Sequence, residues 1–255
     1  MAVIHNKFSG IDDKIKSNEK SLLRTYGLSW AKIGFCILIA AITGYLDWPI
    51  ISIIALLGAI FSIYSFSMSV KSHSEKEAID TVGAEGENLT LSYLQVLDNS
   101  FHIIPNAVYS YGEKKSEMDA VVVGPTGIYI IEVKNYKGNI YGNTSDHDLV
   151  QVKTDNYGNT FEKPFYNPVK QVATHRYTLS GVLEEYGENT YINTCVFFTN
   201  PYSSVNIIND NDCDCKILTD GKSLVDYIRS GEEILKPWDI EAVLRLLGIE
   251  FLWCE

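Results

Sequence analysis

Basic residues are scarce in this chain: 21 Lys and Arg stand against 32 Asp and Glu, a formal net charge of −11. The deficit is local, because residues 1–80 hold eight basic against seven acidic side chains while residues 81–255 hold 13 against 25. An acidic domain exerts no long-range pull on phosphate backbones, so nucleic-acid binding would have to rely on a local basic or metal-filled cleft. Cysteines are few and unpatterned. Cys36, Cys195, Cys213, Cys215 and Cys254 are odd in number and lack a repeating spacing, which argues against a disulfide framework and for a reducing compartment. Cys213-Asp214-Cys215 is at most half a metal site, since no second Cys/His pair follows at ligand spacing. No cleavable signal peptide is legible, because the apolar stretch starts late and no small-x-small site closes it. Internal repeats and low-complexity segments are absent, and an apolar content of 46% argues against disorder.

Long hydrophobic runs, by contrast, are present. Leu28–Leu46 is apolar apart from Lys32 and a few small polar residues, and after Asp47-Trp48-Pro49 the run Ile50–Val70 has no charge. A helix over the second run is roughly 32 Å long, enough to cross the ~30 Å hydrocarbon core. The pair reads as a transmembrane helical hairpin, the alternative being a buried helical pair in a soluble core. Trp30, Tyr45 and Trp48 near the helix ends fit an aromatic belt. Basic residues before the first run, and Lys71 and Lys76 after the second, put both flanks in the cytoplasm by the positive-inside rule. The expected organisation is a cytoplasmic segment 1–27, a hairpin 28–70 (28–46 and 50–70), a charged connector 71–82 and a cytoplasmic domain 83–255.

That domain centres on Met118–Val123, Gly124-Pro125-Thr126-Gly127 and Ile128–Lys134. Two β-branched runs flank a Gly/Pro turn, so a β-hairpin is predicted. Pairing Val123 with Ile128 sets Asp119 opposite Glu132. Opposed carboxylates repel, which is poor structure unless a cation or proton lies between them. Residues i and i+2 of a strand share a face, so Lys134 joins Glu132 while Val133 points to a core.

Before this hairpin the spacing predicts a helix over about Glu85–Leu97 and a strand over Phe101–Pro105. After it come short β runs at Asn139–Tyr141 and Leu149–Lys153, a helix opened by Asn167-Pro168, and an apolar strand Tyr191–Thr199 of the kind buried on both faces. The tail adds a strand around Lys216–Leu218 and helices over Lys222–Arg229 and Pro237–Leu247. Helix, three strands, helix, strand is the resulting order.

An acid on one strand facing Glu-x-Lys on the next suits metal-assisted phosphodiester cleavage. Two carboxylates can hold Mg²⁺ while leaving positions for phosphate and a nucleophilic water. Lys134 can orient or help deprotonate that water and offset charge in the transition state. The bland alternative is a strand-end Asp and an exposed Glu–Lys pair.

Residues 83 to about 200 resemble the nuclease-related domain family (NERD) of the PD-(D/E)xK nucleases. The resemblance rests on Gly83–Glu87, Met118-Asp119 with its valines, Gly127–Gly138 with its Glu-Val-Lys-Asn-Tyr-x-Gly string, and Asn167-Pro168-Val169-Lys170-Gln171. It departs where a tryptophan is expected and Asp146–Leu149 stands instead. The resemblance implies an α/β, restriction-endonuclease-like αβββαβ core with C-terminal helical additions, Mg²⁺ or Mn²⁺ dependence and DNA as substrate. Carried over by position, Glu87 supports the metal site from the first helix, Asp119 and Glu132 ligate with the Val133 backbone carbonyl, Lys134 is the catalytic lysine and Gln171 lies near phosphate or water. Glu85 is the alternative to Glu87, two residues away on the helix. The expectation is a membrane-anchored nuclease at the inner face of a bacterial plasma membrane. The alternative is a non-catalytic nuclease-fold module binding a protein or nucleic-acid partner. Homo-oligomerisation through Gly34, Gly44 and Gly58 lacks Gly-x-x-x-Gly spacing.

Overall fold

The computed structural model describes residues 1–5, 10–46, 48–155, 157–210 and 213–249; Cys254 lies outside them. Two compact units emerge, one made of Met1–Phe8 with Val82–Glu255 and the other of Ser9–Thr81.

The second unit is the helical hairpin. Helix α1 (Gly10–Tyr45) and helix α2 (Pro49–Leu94) each contain a stretch long and apolar enough to cross a membrane. Most large apolar side chains along these stretches are exposed, among them Phe35, Leu38, Ile50, Ile54, Leu57 and Phe61. A soluble core helix would bury such residues. Between the helices, Thr43 Oγ1 and Ser52 Oγ are 2.9 Å apart, so each hydroxyl meets a partner where the chain turns. The connector expected at 71–82 is helical. No proline or glycine interrupts it before Gly83, and α2 runs on through Gly83 and Gly86 as one element.

In the first unit the remaining elements are β1 (Val3–Ile4), β2 (His102–Tyr111), β3 (Lys114–Gly124), β4 (Gly127–Lys134), β5 (Gly138–Asn143), β6 (Asp148–Thr154), β7 (Thr160–Tyr166), α3 (Pro168–Glu184), β8 (Ile192–Phe198), β9 (Ser203–Ile208), β10 (Lys216–Leu218), α4 (Gly221–Arg229) and α5 (Pro237–Leu246). One sheet has the order β1-β2-β3-β4-β8-β10 and the other β7-β6-β5-β9. The sequence α2, β2, β3, β4, α3, β8 is the αβββαβ order that the resemblance implies. Strands β5–β7 are an insertion between β4 and α3.

The larger sheet has an apolar layer on each face, as a parallel crossover demands. Val121, Val123, Ile128, Ile130 and Val196 pack with Val172, Leu179 and Leu183 of α3 and with Val243 and Leu244 of α5. Ala120, Val122, Tyr129, Ile131, Val133 and Phe197 pack with Leu94 and with Leu224 and Ile228 of α4. Alternation along β4 therefore sends successive side chains to different helices. The β3–β4 turn closes as expected, with Val123 opposite Ile128 and Gly124 opposite Gly127. Gly127 takes φ +123°, which a side chain would resist.

Residues 1–27 begin with a strand. Val3 and Ile4 pair in parallel with His102 and Ile103, and Ala2 is buried beneath them. A two-residue strand has too little pattern to be legible in sequence; the open edge of β2 recruits it. Strands β7 and β9 lie outside the elements that the sequence pattern predicts.

Helix α3 starts where its sequence said it would. Asn167 is fully buried, its side-chain oxygen accepts from Val169 N at 3.0 Å, and its Nδ2 donates to the carbonyls of Asn143 and Asp146 at 3.1 and 2.8 Å. One side chain thus caps α3 and ties it to the β5–β6 connection. Asn167→Ala loses a cap and orphans buried carbonyls, so stability falls by about 2–4 kcal/mol in urea unfolding, and Asn167→Asp, which keeps only the cap, falls in between.

Candidate active site

Strand β4 delivers two charged side chains into an otherwise apolar layer. Glu132 and Lys134 follow Ile128 and Ile130 on the α3 face, and Glu132 is only 1% exposed. A buried carboxylate needs partners. Lys134 Nζ donates to Glu132 Oε1 at 2.6 Å and to Gln171 Oε1 of α3 at 3.2 Å. His175, one turn beyond Gln171, brings its Nε2 to 3.3 Å from Glu132 Oε2. That approach lacks hydrogen-bond geometry, so Glu132 Oε2 and both ring nitrogens of His175 are buried with no hydrogen-bond partner among the described residues.

Asp119 reaches this group through a local break in regular pairing. The ladder joins Ala120 to Ile131 and stops, and the side-chain Oδ2 of Asp119 accepts from Val133 N at 2.7 Å. On its other side β3 pairs Ala120 with Pro105 and Met118 with Ala107, omitting Asp119 and Asn106. Both strands change face there: Ile104 and Val121 pack toward α3, and so do Ala107 and Met118, three residues along rather than two or four. Asn106 absorbs the twist at φ +49°, a region Asn tolerates better than most residues. The register is the expected one, and the break turns Asp119 from a ladder residue into a side-chain acceptor.

Helix α2 comes close to the end of β4. A Cβ on Gly86 would lie 2.8 Å from Asn135 Cβ and 3.0 Å from Thr199 Oγ1, so glycine permits the approach. Asn135 Nδ2 donates to Val82 O at 2.8 Å and its Oδ1 accepts from Asn200 at 2.9 Å. Glu87, half-buried one residue on from Gly86, lies near enough to bear on the charge of Asp119. Glu85 is exposed.

The electrostatics follow from this crowding. Burial, then the neighbouring Glu132, push the Asp119 carboxyl up to about 8, with Glu87 adding to the effect against the Val133 N–H and Lys134. Burial works against the Lys134 ammonium, but the charge and hydrogen bond of Glu132 outweigh it and raise its pKa above the ordinary lysine value. Three acids, a retained ammonium, an amide and an imidazole thus converge from four elements.

Residues 82–199 match the nuclease-related domain, NERD. The NERD match ends within one residue of β8 and spans every residue that the resemblance singled out. An uncharacterised protein of Bacillus anthracis is 30% identical over 92 residues, covering 35% of this chain and 43% of that relative. The chain thus spans under half the length of that protein. No solved structure matches.

Within the matched residues Asp119, Glu132, Lys134 and Gln171 are neighbours, with Glu87 close to Asp119. His175 went unread. It is the one ionisable side chain on the buried stripe Val169, Val172, Thr178, Leu179 and Leu183, and it stands four residues from Gln171, so helical spacing held the signal.

The Asp119 shift has a stability consequence. Its folded pKa of about 8 lies above the ordinary 3.8, so the unfolded chain ionises first as pH rises. Stability present below pH 4 is lost progressively up to about pH 8. With chelator present, Asp119→Asn gains thermal stability over wild type as pH increases from 5 to 8, and the gain levels off above that; a pH-independent difference would contradict the assignment.

Proposed function

We propose that this chain is a membrane-anchored, divalent-metal-dependent nuclease that hydrolyses phosphodiester bonds, with DNA as substrate, at the cytoplasmic face. The observation that carries the reading is the buried Glu132 carboxylate, one oxygen without a hydrogen-bond partner, beside an Asp119 that its charge helps keep protonated. A hard cation relieves both conditions at once.

The donor set fits Mg²⁺ or Mn²⁺. Among the described residues no three His, Cys, Asp or Glu side chains are arranged to hold a metal. Two carboxylates, a main-chain oxygen and retained waters suit Mg²⁺, which dehydrates reluctantly. Asp119, Glu132 and the Val133 carbonyl would hold it. A strand residue's N–H and C=O project to the same side, and Val133 N–H is directed at Asp119. When bound, the ion supplies Lewis-acid polarisation of the phosphate and a more acidic water.

The protein's own groups divide the remaining work. Lys134 holds its proton, so it acts as donor and positive charge, orienting Glu132 and Gln171 and offsetting charge on the phosphate, rather than as the base. Gln171, held by Lys134, would orient a phosphate oxygen or the water. Glu87 adds negative potential that favours the cation.

The anchor reading draws support from β1. Val3 lies before the helical hairpin and His102 after it, yet the two are paired. That pairing supports a topology with both flanks of the hairpin on one side of the bilayer, as two spans require. Lys and Arg ahead of the apolar run at Leu28, and Lys71 and Lys76 along α2, favour the cytoplasm for that side. Tethering would confine cleavage to DNA near the envelope, such as incoming foreign DNA. A Cβ built on Gly44 or Gly58 would lie 3.7 Å from Ser52 Oγ or 3.5 Å from Cys36 Sγ, so both glycines face the hairpin's own side chains, which disfavours a homo-oligomer through them. A second reading, a non-catalytic partner-binding module, is favoured by the net charge of −11.

Full-length protein in detergent decides between them. With Mg²⁺ or Mn²⁺ it cleaves linear, circular or single-stranded DNA, and Asp119→Ala, Glu132→Ala and Lys134→Ala each lose activity by about 100-fold or more. Equal behaviour of all four proteins would leave the binding module.

A further inference from the structure

The inserted sheet carries a feature that the reaction does not use. Lys153 of β6 stands opposite Phe161 of β7, and Gln151 opposite Lys163, so these four side chains share one face. The same face continues through Leu149 and Phe165 and, on β5, Ile140, which are in or against the core on the α3 side. Exposure rises along it: Leu149 and Gln151 are buried, Phe165 and Lys153 half-buried, and Lys163 and Phe161 exposed.

Two observations set this face apart. Lys153 and Lys163 are diagonal neighbours, and neither makes an ion pair among the described residues. Desolvation, then the charge of Lys163, lower the Lys153 pKa, so the two amines oppose each other. Meanwhile the acids of the two strands, Asp148 and Glu162, belong to the other face, opposite Tyr166 and Val152. A chain rich in acids has separated its charges across one hairpin.

The strip also has a direction. Tyr136 acts on the charge of Lys134, and its ring meets Phe165 edge-on at 4.8 Å. Phe165 is followed two residues out by Lys163 and four out by Phe161. Gln151 Nε2 holds the intervening loop through Lys137 O at 2.7 Å. From Phe165 to Phe161 is about 13 Å of strand, room for two nucleotides.

We propose that this face of the β6–β7 hairpin grips a nucleic-acid strand leading into the active site, with Lys153 and Lys163 on successive phosphates and Phe161 stacked against a base. The proposal rests on the nuclease reading and names the surface that overcomes the domain's net charge. Unpaired lysines alternating with an exposed ring are the pattern by which single strands are held without sequence preference. An anionic membrane surface would also attract the lysines, but it gives no use for a strip continuous with Lys134.

The test is anisotropy of a labelled single-stranded oligonucleotide with full-length protein in detergent and chelator. Lys153→Gln/Lys163→Gln weakens binding about tenfold or more and lowers the log–log salt slope by about 1.4. Phe161→Ala weakens binding with the slope kept, and Lys216→Gln/Lys222→Gln on β10 and α4 changes nothing. Thermal unfolding checks that each variant folds; should the double variant fail, each single substitution lowers the slope by about 0.7. Wild-type affinity and slope in the lysine variants would overturn the grip while wild-type cleavage leaves the nuclease reading standing. A wild type that neither binds nor cleaves would overturn both. Loss of binding to phosphatidylserine vesicles with oligonucleotide binding intact would assign the lysines to lipid and overturn the proposal.

Discussion

A carboxylate buried to 1% exposure sets the terms for the domain around it. Glu132 occupies a central strand whose residues 128–131 and 133 are buried in layers packed on both faces, where a charge is tolerated only with compensation. Lys134 supplies it along the same strand, Gln171 holds Lys134 from α3, and His175 closes the other side. The compensation is incomplete, because one Glu132 oxygen lacks a hydrogen bond and Asp119 is brought close enough to oppose its charge. Such unrelieved electrostatics are a recurrent mark of function.

The surrounding fold serves to hold that cluster. The β3–β4 turn fixes the register, and the face change at Asn106 and Asp119 releases one carboxylate from the ladder. Gly86 lets α2 approach, and Asn135 and Asn167 clamp α2 and α3 to the sheet. Each acts through a short hydrogen bond or close approach rather than through bulk burial. Rigid elements rather than loops therefore carry the charged groups, as a preorganised site requires.

Charge distribution is the second organising constraint. A net charge of −11 would repel a polyanion. The positive groups are accordingly local: Lys134 inside the site, and Lys153 and Lys163 together on one face of the insertion. Alternation along β6 and β7 places the acids behind that face, so average composition conceals what a strand displays on one side.

Sequence alone determined a good deal. The period-two pattern and the Gly-Pro-Thr-Gly turn fixed the β3–β4 register, and with it the nearness of Asp119, Glu132 and Lys134. Asn167-Pro168 fixed the start of α3, and two long apolar runs, the second without charge, fixed the helical hairpin. These are local signals, carried by residues within a few positions of one another. Tertiary structure decided the rest. It continued α2 through residues 71–82, because the absence of a breaker says nothing about where a helix must stop. It placed β1 on the edge of β2, a contact between segments nearly a hundred residues apart. It made the twist at Asn106, aimed His175 at Glu132, and gave Lys153 and Lys163 a common face, since strand pairing depends on partners that no local pattern names.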